Sequence, residues 1–182
     1  MTIACGNTTV VVADDHPVVR AGLAALLEGA EGIDVLGMAA NGRDACELAV
    51  RLKPHVVLMD LSMPVCDGVE ATRCILSARP DVRVVVLTSF ADGRRVAQAI
   101  AAGAAGYLLK GCEGEEIVAA VRLAAAGGAP MDPRAAAALD DTRGLADLTS
   151  GKVRCQRFAF WRRRISGSQT ADPSSGSDRF TC

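Results

Sequence analysis

Short β-branched runs alternate with longer segments rich in Ala, Leu and Arg up to about Gly127. The apolar runs predict strands at Thr9–Ala13, Asp34–Ala39, Val56–Met59, Val82–Leu87 and Gly106–Leu109. Most of these runs are nearly continuous rather than alternating, as expected for strands buried on both faces of a parallel sheet. The segments between them predict helices at Pro17–Glu28, Arg43–Arg51, Val69–Ser77, Gly93–Ala102 and Glu113–Ala126. Pro17 suits a first helical turn, Asn41 can cap the second helix, and Pro80 stops the third. The order is (βα)5, an α/β architecture in which a doubly wound, five-stranded parallel sheet of about 120 residues carries helices on both faces.

After Gly127 the character changes. GGAP, two prolines in all, an Ala run and DDTRG predict a linker with a short helix over 127–150. The segment 151–182 changes again: seven basic side chains, among them Arg162, Arg163 and Arg164, face only Asp172 and Asp178. The whole-chain charge of −1 therefore averages an acidic body and a basic tail. From Ser166 the tail is rich in Ser, Gly and Asp, shows no period and is expected to be poorly ordered.

Half of the 182 residues are hydrophobic, which excludes wholesale disorder, but only 3% are aromatic. The core must be built from Val, Leu, Ile and Ala. Seven cysteines are scattered and none forms a C-x-x-C pair, so neither a disulfide framework nor a zinc site is indicated. The N-terminus has no basic region before an apolar stretch, and charges break every apolar run before a membrane-spanning length. A cytoplasmic protein without a membrane partner is expected.

In an open parallel sheet, chemistry collects at the carboxyl ends of the strands, near the point where the strand order reverses. Here the first strand is followed by Asp14 and Asp15, the third by Asp60, the fourth by Thr88 and Ser89, and the fifth by Lys110. Singly, each has an ordinary reading: an Asp as turn former or helix cap, a Thr as cap, a Lys as solvated charge. Together they put three carboxylates, a hydroxyl and an ammonium at one end of the sheet. Crowded carboxylates repel, and a hard divalent cation such as Mg²⁺ with oxygen ligands relieves this. His16 is expected to open the first helix with Pro17. His55 falls at the opposite end of the sheet, and Cys66 has nothing nearby to activate it except a helix start.

The stretches VVVADDHPVVRAGLAALL, HVVLMDLSMPVCDGVEATRCI, VRVVVLTSF and AGAAGYLLK resemble, in order and spacing, the receiver domain of bacterial two-component response regulators. The wording is similar to the NarL/FixJ class, whose members usually join a receiver to a LuxR-type helix-turn-helix. The resemblance covers about Thr8 to Ala126. It implies the flavodoxin-like receiver fold over 8–126.

The resemblance also implies roles. Asp60 would accept a phosphoryl group from a phosphohistidine on a sensor histidine kinase, or from a small phosphodonor. Asp15 would bind Mg²⁺ directly and Asp14 mostly through water, with Asp60 and the main-chain carbonyl of Ser62 as further ligands. Lys110 and the Thr88 hydroxyl would contact the transferred phosphoryl group, and Tyr107 would repack behind Thr88 as part of the switch. The chain would not be an enzyme, beyond catalysing its own phosphorylation and dephosphorylation. Gly111 and Cys112 depart from the residues usual after the lysine, which loosens that turn. A phosphorylation-dependent homodimer is expected, through helix 4, strand 5 and helix 5 or through helices 1 and 5.

Relatives of this class continue with L-T-x-R-E into a DNA-binding domain. Leu148-Thr149-Ser150 begins that phrase, the match stops at Gly151, and no helix-turn-helix is recognisable beyond. The abrupt change of composition suggests a shifted reading frame, which an uninterrupted helix-turn-helix in a neighbouring frame of the gene would support and its absence would refute. DNA is therefore a weaker expectation than a kinase. The alternative is a LuxR-type transcriptional regulator that uses the C-terminal segment, with Phe158, Phe160 and Trp161 beside the arginines as a nucleic-acid arm. A third reading, an aspartyl-phosphate phosphatase of the haloacid dehalogenase kind, meets Ser62 where those enzymes place a second Asp two residues after the nucleophile.

Overall fold

In a computed structural model of the chain, residues 6–89 and 93–142 are described, with side chains as far as 137. Five strands run β1 (Thr8–Ala13), β2 (Ile33–Ala39), β3 (Val56–Met59), β4 (Arg83–Thr88) and β5 (Gly106–Leu109). The helices are α1 (Pro17–Glu28), α2 (Gly42–Leu52), α3 (Gly68–Ala78), α4 (Gly93–Ala101), α5 (Gly114–Ala125) and α6 (Pro133–Thr142). All strand pairs are parallel, in the order β2-β1-β3-β4-β5. The expected five-stranded doubly wound sheet is what forms, with β4 starting one residue later than the apolar run and including Thr88.

Local chemistry sets the helix ends. Pro17 occupies the first turn of α1, and Asn41 caps α2 by accepting a hydrogen bond from the Asp44 N–H at 2.9 Å. Asp67 caps α3 in the same way through the Glu70 N–H at 2.8 Å. The Glu113 N–H opening α5 donates to Glu116 Oε2 at 3.1 Å.

The period-2 alternation of the strands splits the core between the two faces of the sheet. Val10, Val12, Leu58, Val85 and Leu87 face Leu23 and Leu27 of α1 and Ile117 and Val121 of α5. Val86, Tyr107 and Leu109 face Val69 of α3 and Val96 and Ala99 of α4. Each fully buried Val or Leu stabilises the fold by about 1.5–3 kcal/mol, so the aliphatic core compensates for the scarcity of aromatics. Tyr107 is 0% exposed and is the largest of these fully buried side chains.

Two features go beyond the sequence expectations. Cys46 of α2 and Cys74 of α3 form a disulfide, although no local cysteine spacing indicated one. Part of the predicted linker is also built into the sheet. The Tyr107 N–H donates to the Pro130 carbonyl and the Asp132 N–H donates to the Tyr107 carbonyl, both at 2.8 Å, so Met131 pairs in parallel with the open edge of β5. Gly106 is required there, because a Cβ would meet Pro130 Cγ at 2.5 Å. The expected short linker helix is α6, which lies against α4 and buries Ala135 with Tyr107, Val96 and Ala99. The described residues all fall in one compact unit. The tail 151–182, its arginines and aromatics, and the expectation about a helix-turn-helix lie outside the described residues.

Candidate functional site

The strand order reverses between β1 and β3, which lie side by side at the centre of the sheet. Backbone pairing continues one residue past each strand: the Asp14 N–H donates to the Ala39 carbonyl at 3.1 Å, and the Asp60 N–H donates to the Ala13 carbonyl at 2.8 Å. The two acids are therefore placed by the sheet itself. Both are buried, Asp14 at 1% exposure and Asp60 at 4%. Thr88, 1% exposed, ends β4, and its carbonyl accepts the Lys110 N–H at 2.8 Å as the chain leaves β5.

Lys110 draws the group together. Its Nζ lies 2.6 Å from Asp14 Oδ2 and 3.1 Å from Asp60 Oδ2. Burial pushes the ammonium's pKa down, but contact with Asp14 and the charge and contact of Asp60 outweigh that, and the net shift is upward. Lys110 is thus a cation held against two buried anions.

The chemistry of the donor set fits a hard divalent cation. One ligand atom each from Asp14, Asp15, His16 and Asp60 lies within 4.8 Å of all the others. Asp14 Oδ2 and Asp15 Oδ1 are buried oxygens with no hydrogen-bond partner among the described residues. Each does have a nitrogen close by, Lys110 Nζ for Asp14 and His16 Nδ1 at 2.7 Å for Asp15. The lysine approach is an ion pair, and the His16 ring lies against Asp15 at the exposed rim of the site. Two buried carboxylate oxygens side by side are what an oxygen-seeking cation needs. His16 is two-thirds exposed; its N–H donates to Asp14 Oδ1 at 2.9 Å, closing the turn into α1.

Ser62 sits in the β3–α3 loop, exposed, with its hydroxyl accepting from Arg95 Nη1 of α4 at 2.7 Å. Tyr107 lies within the sheet next to Val86, two residues before the end of β4. Asp14, Asp15, Asp60 and Lys110 therefore meet, with Thr88 on the neighbouring strand end. Ser62 lies two residues after Asp60 with its side chain turned to Arg95, and Tyr107 lies in the core. His55 is exposed at the other end of the sheet, its Nδ1 2.9 Å from the Thr9 hydroxyl.

Three residues were not singled out by the sequence. Arg20 Nη1 donates to the Asp14 carbonyl at 2.6 Å, holding the Asp14–Asp15 turn from α1. Arg95 is the partner of Ser62. An arginine on a helix is normally a solvated charge, and nothing in the spacing marked these two. Val65 has a φ of +70°, with the Cys66 N–H donating to the Pro64 carbonyl at 2.8 Å across it. This is a γ-turn with its β-branched centre in the left-handed region, a costly conformation in the loop that follows Asp60.

Residues 10–122 match the family described as response regulator receiver domain. The transcriptional regulatory protein LnrK of Bacillus subtilis (strain 168) is 45% identical over 124 residues, which cover 68% of this chain and 56% of LnrK. The chain thus spans little more than half the length of that relative. A LuxR-family two-component response regulator from Aurantimonas sp. SI85-9A1 superposes with a TM-score of 0.72 at 32% identity, covering 76% of this chain and 99% of that one. RcsB of Salmonella typhimurium superposes with a TM-score of 0.68 at 25% identity over 76% of this chain and 68% of that one, and another structure holds two RcsB dimers bound to two parallel DNAs. With the receiver family matched over more than half its length, the carboxyl-end acids of β1 and β3 and the lysine after β5, this chain belongs to the response regulator receiver family, and its relatives are of the LuxR/NarL class.

Proposed function

We propose that the chain is the phosphoryl-accepting switch of a two-component system, with Asp60 as the acceptor. The observation that carries the reading is the pairing of Lys110 with both Asp14 and Asp60 at the carboxyl end of the sheet. An Asp60 carboxylate oxygen attacks the phosphorus of a phosphohistidine on a sensor histidine kinase. The N–P bond breaks, an O–P bond forms, and the imidazole takes up a proton as it leaves. Asp14, Asp15, Asp60 and the Ser62 carbonyl would hold Mg²⁺. The ion supplies positive charge to the phosphoryl oxygens while charge builds on them.

After transfer, Lys110 exchanges its Asp60 contact for a phosphoryl oxygen, and the Thr88 hydroxyl donates to another. Because the Lys110 N–H is already bonded to the Thr88 carbonyl, the two contacts draw adjacent strand ends together. Tyr107, one strand over from Val86 and packed with Val96 of α4, repacks in response. Turnover is limited to the protein's own phosphorylation and dephosphorylation.

The output is a homodimer formed on phosphorylation. The linker covers the β5 edge, which favours the face of α1 and α5. There Ala25, Gly29, Val118 and Ala119 line a shallow groove flanked by Glu115 and Arg122, small enough for close backbone approach and self-complementary in charge. A DNA-binding output through the C-terminal segment is the second reading, favoured by the LuxR-class relatives. The receiver would span 8–126, with 127–150 as linker and 151–182 as tail. Among the described residues no helix is long and apolar enough to cross a membrane.

Incubation with acetyl phosphate and Mg²⁺, followed by intact mass and gel filtration, tests the reading. A phosphoryl mass gain that is absent in Asp60→Ala, with a shift to dimer, is expected. No gain from acetyl phosphate or from a cognate kinase would overturn it.

A further inference from the structure

The Cys46–Cys74 disulfide joins α2 to α3, two helices packed side by side, with Cα atoms 6.4 Å apart. The pair is separated by 28 residues, and that closed loop contains all of β3, Asp60 and the β3–α3 turn. Both cysteines are buried, Cys46 at 1% and Cys74 at 7% exposure, whereas Cys66 and Cys112, outside the disulfide, are of intermediate exposure.

One turn before Cys46, α2 starts at Gly42, where the helix touches the loop that follows Asp60. The Gly42 N–H donates to the Cys66 carbonyl at 3.2 Å. A Cβ at Gly42 would meet that oxygen at 2.5 Å and the Ala71 Cβ at 2.9 Å. At the start of α3, a Cβ on Gly68 would run into the Asp60 carbonyl oxygen. The α2–α3 seam therefore runs from the disulfide to the backbone of Asp60 with no room for a side chain at either glycine.

We propose that Cys46 and Cys74 are a reversible redox pair, oxidised by a hydroperoxide, whose disulfide clamps α2 against α3 under the loop that carries Asp60. Cys74, the more exposed thiol, reduces the hydroperoxide ROOH to ROH and becomes a sulfenic acid. The Cys46 thiol then attacks that sulfur, the S–S bond forms, and the hydroxyl leaves with the thiol proton as water. Two electrons pass from the two thiols to the peroxide, and a small dithiol returns them. The seam is thereby covalent in the oxidised protein and held by packing alone in the reduced one. The proposal stands whether or not Asp60 is phosphorylated.

The full chain is reduced with dithiothreitol, exposed to hydrogen peroxide, quenched in acid, unfolded, alkylated and digested with trypsin. Oxidation is expected to join the peptide 44–51 to the peptide 74–83, since Arg79 precedes Pro80, and dithiothreitol should release them. The oxidised protein should melt roughly 10 °C above the reduced one. That difference should vanish in the Cys46→Ala, Cys74→Ala double variant and persist in Cys66→Ser. Full alkylation of both peptides after peroxide, cross-links to other cysteines instead, or a melting point indifferent to redox state would overturn the proposal. The wild-type peptide map decides it even if the double variant does not fold.

Discussion

The Nζ of Lys110 lies 2.6 Å from Oδ2 of Asp14, a carboxylate oxygen that is buried and otherwise lacks a partner among the described residues. The lysine occupies the place where a bound cation would also neutralise Asp14. Lys110→Ala leaves Asp14 and Asp60 uncompensated, and a buried pair broken from one side costs about 3 kcal/mol. In urea titrations the variant should lose about that much stability in chelator, recover much of it in Mg²⁺, and bind Mg²⁺ more tightly than wild type. Equal stability of variant and wild type in chelator would contradict this.

Val65 sits 68% exposed at a φ of +70°, so its side chain gains little from burial to offset the strain. Glycine adopts that conformation freely but loses more chain entropy on folding. The two effects leave Val65→Gly more stable by the order of 1 kcal/mol, read as a rise in the urea midpoint at unchanged slope.

Gly68 starts α3 against the Asp60 carbonyl. Gly68→Ala forces the backbone of Asp60 away from Ala13, costing about 1–3 kcal/mol as overpacking does, and should abolish phosphorylation from acetyl phosphate even where the variant is folded. Circular dichroism establishes folding and intact mass reads the phosphorylation.

Asp132 accepts from the Arg134 N–H at 2.8 Å and from its guanidinium at 3.0 Å, starting α6 where the linker leaves β5. The guanidinium hydrogen bond lowers the Asp132 pKa, with burial opposing and the backbone bonds assisting. A carboxyl lowered in the folded state contributes stability above its unfolded pKa, about 3.9, and loses it as the pH falls through the lower folded value. Because Arg134 is 61% exposed, the contribution is about 0.5–1 kcal/mol. Wild type should exceed Asp132→Asn by that amount at pH 6, with the gap closing as the pH drops below about 4.

The elements were legible because local chemistry marks their ends. Pro17, Asn41 and Pro80 each stop or start a helix for reasons confined to neighbouring residues, and both ends of α1 fall where the pattern places them. The gathering of Asp14, Asp60 and Lys110 was legible too, because parallel strands put their carboxyl ends on one side of the sheet. The disulfide was not, since Cys46 and Cys74 meet only through the packing of two helices. Nor was the linker's return to β5, which rests on a single-residue bridge at Met131 and the bare backbone of Gly106. Arg20 and Arg95 act through their reach to Asp14 and Ser62, which pattern along the chain does not encode.

The central claim is that Asp60, and no neighbouring carboxylate, takes the phosphoryl group. Borohydride reduces an acyl phosphate to the alcohol, so a phosphorylated aspartate is recovered as homoserine in a peptide digest. After treatment with acetyl phosphate, homoserine at position 60 is expected, dependent on Mg²⁺ and accompanied by unmodified Asp14 and Asp15. Homoserine at position 14 or 15, or none at position 60 in a protein that gains phosphoryl mass, would contradict the account.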